Sequence, residues 1–248
     1  MRQPLVAGNW KMNGSRESIR ELLDGILAGL DAVENAEVAV CVPYVYLPQV
    51  ADRLKGTPLG WGAQNVNDNE SGAYTGEISC SMLKDFGCKY VIVGHSERRS
   101  IYGERDEDVT RRFMAAQASN FTPILCVGEQ LEEREAGTTN EVVETQLDAV
   151  INEAGIEAIA KCVIAYEPVW AIGTGKVATP DQAQEVHAMI RNKLAKLNKD
   201  VAAALSDSKT AIKETIHQGR SLDPKQSHSS VLQAVGRKIF GWQRSFSF

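Results

Sequence analysis

Three side chains of different chemistry follow short apolar runs at widely separated points of the chain. Lys11 lies in VAGNWKMNG, His95 in YVIVGHSERRS and Glu167 in CVIAYEPVWAIGTGK. A glutamate can act as a general base, and it is a stronger base where water is excluded. The positive potential of a helix that begins directly after His95 disfavours protonation of its imidazole, which then polarises a carbonyl as a neutral donor. Lys11 adds a fixed positive charge.

The segment after Glu167 has the composition of a mobile lid. Its tip contains Gly173 and Gly175 among other small residues, between the less flexible tripeptides PVW and KVA. This layout is typical of a loop that closes as a body on two short hinges. GTGKVA also matches a dinucleotide-binding pattern, but its first glycine comes seven residues after the strand, not in a tight strand-to-helix turn. A phosphate-binding P-loop is excluded because Val177 replaces the required serine or threonine.

A base, a neutral electrophile, a cation and a lid that excludes water suit one type of reaction. They suit removal of a proton next to a carbonyl of an anionic substrate, with the enediolate stabilised by His95 and Lys11. The sequence therefore predicts an acid–base enzyme if Lys11, His95 and Glu167 come together.

Six repeats of a short apolar run and a longer amphipathic stretch are the elements available to position these residues. The predicted strands are residues 6–10, 38–42, 59–63, 90–93, 122–127 and 162–166. Strands that are apolar on both faces predict a parallel α/β sheet covered by helices, either an open doubly wound sheet or a closed barrel. Polar residues follow several different strands, and a barrel gathers all strand ends into one ring, so the barrel is favoured.

The bulk properties exclude several classes of protein. The net charge of −5 and the pI of about 5.5 do not indicate a nucleic-acid-binding surface. No stretch has the length of a signal peptide's apolar region or a membrane span, so we expect a cytoplasmic protein with no membrane partner. The five cysteines have no CxxC spacing and are expected to be small buried apolar side chains in a reducing cytosol, with no redox or metal role.

Six sequence blocks resemble the diagnostic blocks of the triosephosphate isomerase family. They are AGNWKMNG, GAQNV, GAYTGE, VIVGHSERR, CVGE and AYEPVWAIGTGK, in the family's order across roughly residues 1–200. The resemblance implies a TIM (β/α)8-type parallel barrel that interconverts dihydroxyacetone phosphate and D-glyceraldehyde 3-phosphate in glycolysis and gluconeogenesis. It implies no metal or organic cofactor.

The resemblance also implies a role for particular residues. Glu167 would be the base, His95 the electrophile, and Asn9 with Lys11 the pair that binds substrate and stabilises negative charge. Glu97 would be an active-site neighbour linked to Lys11, and Gly173 a lid amide that donates to the phosphate. Residues 64–77, with Thr75 near the tip, are similar to a loop that inserts into a second subunit, which implies a homodimer.

The resemblance ends at about residue 205. The family continues with two further strands, each leading into a glycine-containing phosphate loop, whereas this chain has no adjacent glycines and no apolar run of strand length there. We therefore expect a barrel domain over residues 1–205 and an atypical tail over residues 206–248. In the tail, residues 210–218 and 229–240 are candidate amphipathic helices. The barrel would be incomplete, with strands seven and eight missing and unpaired edges on strands one and six.

Two alternatives to an active isomerase remain open from the sequence. One is an inactive or impaired member of the same family, because the missing loops supply phosphate donors in such barrels. The other is a different sugar-phosphate barrel enzyme, such as an epimerase or aldolase. The second is disfavoured because no mid-barrel Schiff-base lysine is visible in the sequence. Its four histidines also do not form a visible set of metal ligands.

Overall fold

The fold alternates short parallel strands with helices in a computed structural model, which describes residues 3–33, 36–172 and 178–215. The strands are β1 Gln3–Asn9, β2 Glu37–Val42, β3 Gly60–Ala63, β4 Tyr90–Val93, β5 Thr122–Val127, β6 Val163–Tyr166 and β7 Ser208–Thr215. The helices are α1 Arg16–Leu30, α2 Leu47–Leu54, α3 Cys80–Asp85, α4 Ser96–Tyr102, α5 Asp106–Ala118, α6 Leu131–Glu135, α7 Thr139–Ala154, α8 Ile156–Ile159, α9 Pro180–Leu197 and α10 Lys199–Asp207. All six predicted strands are present.

The first six strands pair in the order of the sequence, and every pairing is parallel. An open doubly wound sheet reverses its strand order at a switch point, whereas a barrel adds each strand beside the previous one. No reversal occurs from β1 to β6. The prediction of an incomplete parallel α/β barrel is therefore confirmed.

The two faces of the sheet are buried in different ways, and this difference shows that the sheet is curled. One face forms a small apolar cluster contributed entirely by strand residues: Leu5, Ala7, Ala39, Cys41, Tyr90, Ile92, Ile124, Cys126, Val163 and Ala165. The alternate residues of the strands point outward into a larger cluster shared with the helices. Because successive side chains of a strand point to opposite faces, a closed interior can be filled by strands alone.

Helix starts follow from local sequence, and two of them matter for the strand-end residues. His95 is the N-terminal cap of α4, and its side chain accepts a hydrogen bond from the Glu97 N–H. Thr179 and Gln182 form a reciprocal capping box at the start of α9, with Pro180 in the first turn. Within the described ranges, no helix is long and apolar enough to cross a membrane.

The chain after residue 205 departs from the sequence prediction. Ser208–Thr215 is a strand, β7, although residues 210–218 are predicted as a candidate helix and no seventh strand is expected. It pairs in parallel with β1, for example Val6 with Ile212. The expectation that β1 has an unpaired edge is therefore wrong, because the free N–H and C=O groups of that edge bind β7. Within the described part of the chain, β6 and β7 are the two ends of the sheet.

Candidate functional site

The sequence-predicted polar residues lie together at the carboxyl ends of the strands. Asn9 is the last residue of β1, Lys11 follows two residues later, His95 comes two residues after β4, and Glu167 directly follows β6. Catalytic groups of parallel α/β barrels lie at this end. Strands β1, β4 and β6 thus contribute one residue or more each to the same rim.

The Glu167 carboxylate is buried against His95 and the start of α4. Glu167 is 3% exposed, and its Oε2 accepts a hydrogen bond of 2.9 Å from the Ser96 N–H. Its Oε1 lies 3.3 Å from His95 Nε2. The base candidate and the electrophile candidate are therefore in direct contact.

The surroundings of His95 determine which of its ring nitrogens can donate. Nδ1 accepts a hydrogen bond of 3.1 Å from the Glu97 N–H, so it carries no proton. In a neutral imidazole the proton is then on Nε2, the nitrogen that faces Glu167. This geometry agrees with the neutral donor that the position of His95 before α4 predicts.

Lys11 is held beside this pair by Glu97. The Lys11 ammonium lies 2.5 Å from Glu97 Oε1, while Glu97 Oε2 lies 3.6 Å from His95 Nδ1. The backbone N–H of Lys11 donates a hydrogen bond of 2.9 Å to Asn9 Oδ1. Lys11, His95, Glu97 and Glu167 therefore form one contact chain, which we call the acid–base cluster.

Gly128 sets the position of the Glu167 main chain. This residue follows β5, and a Cβ atom added to it would lie 1.8 Å from the Glu167 carbonyl oxygen. The preceding residue, Val127, accepts a hydrogen bond of 2.8 Å from the Glu167 N–H. The two strand ends are thus in contact where only glycine fits.

An anchor built around Glu129 holds the beginning of the lid segment, and the sequence does not reveal it. The Glu129 carboxylate is fully buried, and the Tyr166 hydroxyl donates to both its oxygens, at 2.9 and 3.0 Å. The Trp170 indole N–H donates to Glu129 Oε1 at 2.9 Å. Burial, together with the charge of Glu129, raises the pKa of the Tyr166 phenol, which keeps it protonated as a donor. In the sequence, Glu129 stands out only by its position after β5 and as the last residue of the block CVGE, and neither signal reveals these contacts.

Two predicted residues lie apart from the acid–base cluster or outside the described residues. Gly173 falls in the range 173–177, outside the described residues. Thr75 is exposed in the loop between β3 and α3. Within residues 3–33, 36–172 and 178–215, no group of three or more His, Cys, Asp or Glu side chains is placed to hold a metal ion.

Comparisons with known proteins agree on one family. The family model described as "Triosephosphate isomerase" matches residues 4–206. A protein named triosephosphate isomerase from Thiobacillus denitrificans is 61% identical over 205 residues, covering 83% of this chain and 82% of the relative. A protein with the same name from Nitrosomonas eutropha is 56% identical over 202 residues, covering 82% of this chain and 80% of the relative. Another, from Methylococcus capsulatus, is 56% identical over 205 residues, covering 83% of this chain and 82% of the relative.

Proposed function

The chain belongs to the triosephosphate isomerase family, and we propose that it interconverts dihydroxyacetone phosphate and D-glyceraldehyde 3-phosphate, a step of glycolysis and gluconeogenesis. The observation that carries the proposal is the 3.3 Å contact between His95 Nε2 and Glu167 Oε1, with the Lys11 ammonium joined to the same cluster through Glu97. A base, a neutral donor and a cation are then within reach of one three-carbon substrate.

Glu167 is the proposed base. It takes the proton from C1 of dihydroxyacetone phosphate, which leaves an enediolate, and returns a proton to C2 after the hydroxyl proton has moved from O1 to O2. To reach the substrate, its Oε2 must leave the Ser96 N–H, which it accepts at 2.9 Å. Because Glu167 is 3% exposed, little water competes for the proton.

His95 is the proposed electrophile. Its Nδ1 is occupied by the Glu97 N–H, so Nε2 is the nitrogen that can donate to the substrate's oxygen. A neutral donor matches the enediolate and enediol in basicity more closely than an imidazolium does, and it can pass its proton between the two oxygens. The cap position at α4 keeps the ring oriented.

Lys11 and Asn9 are the proposed binding pair for the negative charge of the substrate. The Lys11 side chain is 13% exposed, so its ammonium is screened less by solvent than a surface lysine. On the family resemblance, we also assign to Gly173 a lid amide that donates to the phosphate. A fixed cation and aligned amide donors stabilise the charge that develops during proton transfer.

A coupled isomerase assay of the parent and of Glu167→Gln tests this proposal. Loss of the base is expected to lower kcat by about 10²- to 10⁴-fold. Glu157→Gln, a change at an exposed helix position, is the matched control and is expected to keep the parental rate. A parent no faster than Glu167→Gln would refute the proposal and would favour an impaired family member.

We further propose that the protein is a homodimer. Among the described residues, the four most exposed large apolar side chains are Met12 at 94%, Val45 at 78%, Ile101 at 70% and Tyr102 at 67%. They lie in segments that follow β1, β2 and β4, and β1 to β4 are consecutive strands of the sheet. Large exposed apolar surface is typical of protein–protein interfaces, and we assign these four side chains to the interface.

The loop over residues 64–77, which includes Thr75, is held in shape by its own hydrogen bonds. Asn67 donates from its main chain to Ile78 O at 2.8 Å and from its side chain to Glu77 Oε2 at 2.8 Å. The Tyr74 hydroxyl donates to Asn69 Oδ1 at 3.0 Å. A loop preorganised in this way loses less entropy when it enters a second subunit.

Light scattering with size-exclusion chromatography tests the dimer. The parent is expected to have twice the mass of the 27.1-kDa chain. Ile101→Arg is expected to shift it towards the monomer, because a charge would be buried at the interface. Leu197→Arg, at a 53% exposed position of α9, is the control. A monomeric parent would contradict the proposal.

We also propose that the protein works in the cytoplasm. Three of its cysteines, Cys80, Cys88 and Cys162, are buried free thiols. Free thiols are typical of a reducing compartment, where the glycolytic pathway operates.

A further inference from the structure

We propose that Gln64 is a positioning residue of the isomerase site, which holds Asn9 and Lys11 in the geometry that binds substrate. Gln64 follows β3 and is half-buried. The kinetic effect that we expect from Gln64 rests on the proposed function. Its effect on the position of Lys11 can be measured separately.

The side-chain amide of Gln64 contacts the ends of two neighbouring strands. Its Nε2 donates to Asn9 Oδ1 at 3.1 Å, to the Lys11 carbonyl oxygen at 2.9 Å and to the Cys41 carbonyl oxygen at 3.1 Å. Asn9 ends β1, and Cys41 lies at the end of β2. One NH2 group therefore ties the ends of three consecutive strands together beside the acid–base cluster.

All three partners of the amide are acceptors, and this fixes its orientation. Only the NH2 end of a glutamine can satisfy three oxygens, so two N–H protons are shared among three contacts. A carboxylate or an apolar side chain of equal length would leave the Lys11 and Cys41 carbonyls without this donor. Position 64 therefore requires an amide, not merely a polar residue.

The Lys11 backbone needs such support. Its φ angle is +50°, in the left-handed region that non-glycine residues rarely occupy. Two hydrogen bonds hold it there: its N–H donates to Asn9 Oδ1, and its C=O accepts from Gln64. Because the Lys11 side chain starts from this backbone, the approach of its ammonium to Glu97 depends on the same hydrogen bonds.

The test compares two variants that remove the same type of hydrogen bond at different places. Gln64→Met keeps the length of the side chain and removes the donor. Gln49→Met is the matched control, because Gln49 is also half-buried and donates to a main-chain carbonyl, Arg16 O, at 2.7 Å. For Gln64→Met we expect a higher KM and a kcat/KM lower by about 10- to 100-fold, which is the loss expected when Asn9 and Lys11 are misplaced by up to about 1 Å. Gln49→Met is expected to match the parent.

A second readout does not depend on catalysis. The proteins are treated with acetic anhydride, and acetylation of Lys11 is measured by mass spectrometry relative to the exposed Lys55. Release of Lys11 from its position is expected to increase its labelling in Gln64→Met but not in Gln49→Met. A purely structural role of Gln64 would lower Tm without changing KM or Lys11 labelling in the folded protein.

The outcomes separate this inference from the proposed function. Unchanged KM and unchanged Lys11 labelling in folded Gln64→Met would overturn the inference. An inactive parent would refute the proposed function. The Lys11 labelling would then be the readout that decides whether Gln64 positions Lys11. If Gln64→Met does not fold, Gln64→Asn, whose amide is one methylene too short, provides the same two readouts.

Discussion

Replacement of Gly128 by alanine directly tests how Glu167 is positioned. The φ angle of Gly128 is not in the left-handed region, so alanine is allowed by the backbone and the only obstacle is contact. The new Cβ would lie 1.8 Å from the Glu167 carbonyl oxygen, whereas ordinary contact begins at 3.4 Å, so the two strand ends must separate by about 1.6 Å.

This displacement predicts both the kinetic and the stability effect. A catalytic group misplaced by 1 Å can cost about 10²-fold in rate, so kcat of Gly128→Ala is expected to fall by at least about 10²-fold. Overpacking of this kind costs about 1–3 kcal/mol, which lowers Tm by roughly 2–12 °C in a chain of this size. Steady-state isomerase kinetics and a thermal melt of the same preparation measure the two effects.

Gly25→Ala is the control for this experiment. Gly25 is an exposed residue of α1 with no atom within 4 Å of an added Cβ, so alanine is expected to leave kcat unchanged and to stabilise the protein by up to about 1 kcal/mol. A Gly128→Ala protein with parental kcat and parental Tm would refute the reasoning, because Glu167 would then not depend on this contact.

Three further predictions concern stability. Tyr166→Phe removes the hydroxyl whose single proton is shared between both oxygens of the buried Glu129 carboxylate, and it is expected to lower the free energy of unfolding by about 1–3 kcal/mol in urea denaturation; an unchanged midpoint would contradict the anchor. Burial raises the pKa of the Cys162 thiol to about 12 from 9.0, so the unfolded chain binds fewer protons above pH 9 and stability falls between pH 9 and 12. The loss of stability between pH 8 and pH 10, measured by urea midpoints, is therefore expected to be smaller in Cys162→Ala than in the parent. An equal loss in the two proteins would show that the Cys162 thiol is not its cause. Thr179→Ala removes the cap of α9 and is expected to cost about 1 kcal/mol of unfolding free energy; no change in urea midpoint would argue against it.

Most of the fold could be predicted because its elements carry local signals. Tyr90–Val93 and Thr122–Val127 are strands over the residues predicted, since buried parallel strands are apolar on both faces. The start of α9 was predictable from Thr179 and Gln182, whose side chains form the capping box within four residues of chain.

The strand β7 could not be predicted because its stability comes from a partner far away in the sequence. Its sequence SKTAIKET has no continuous apolar run, and its amphipathic pattern equally suits a helix. The free edge of β1, about 200 residues earlier, decides in favour of a strand by accepting and donating ladder hydrogen bonds.

The site was predictable in its residue types but not in its supporting contacts. The positions of Lys11, His95 and Glu167 after apolar strands indicated that they share one rim, and the structure brings them together. Glu129 and Gln64 act through partners that are far away in the sequence: Tyr166 is 37 residues from Glu129, and Lys11 is 53 residues from Gln64. A polar residue after a strand gives no sign of such long-range hydrogen bonds.

Proton abstraction by Glu167 is the central claim, and incorporation of solvent deuterium measures it most directly. Dihydroxyacetone phosphate is incubated in ²H₂O with the parent or with Glu167→Gln, and deuterium at C1 of the recovered substrate is followed by NMR. The parent is expected to incorporate deuterium at C1, and Glu167→Gln is expected to incorporate no more than buffer. Incorporation by Glu167→Gln at the rate of the parent would contradict the account.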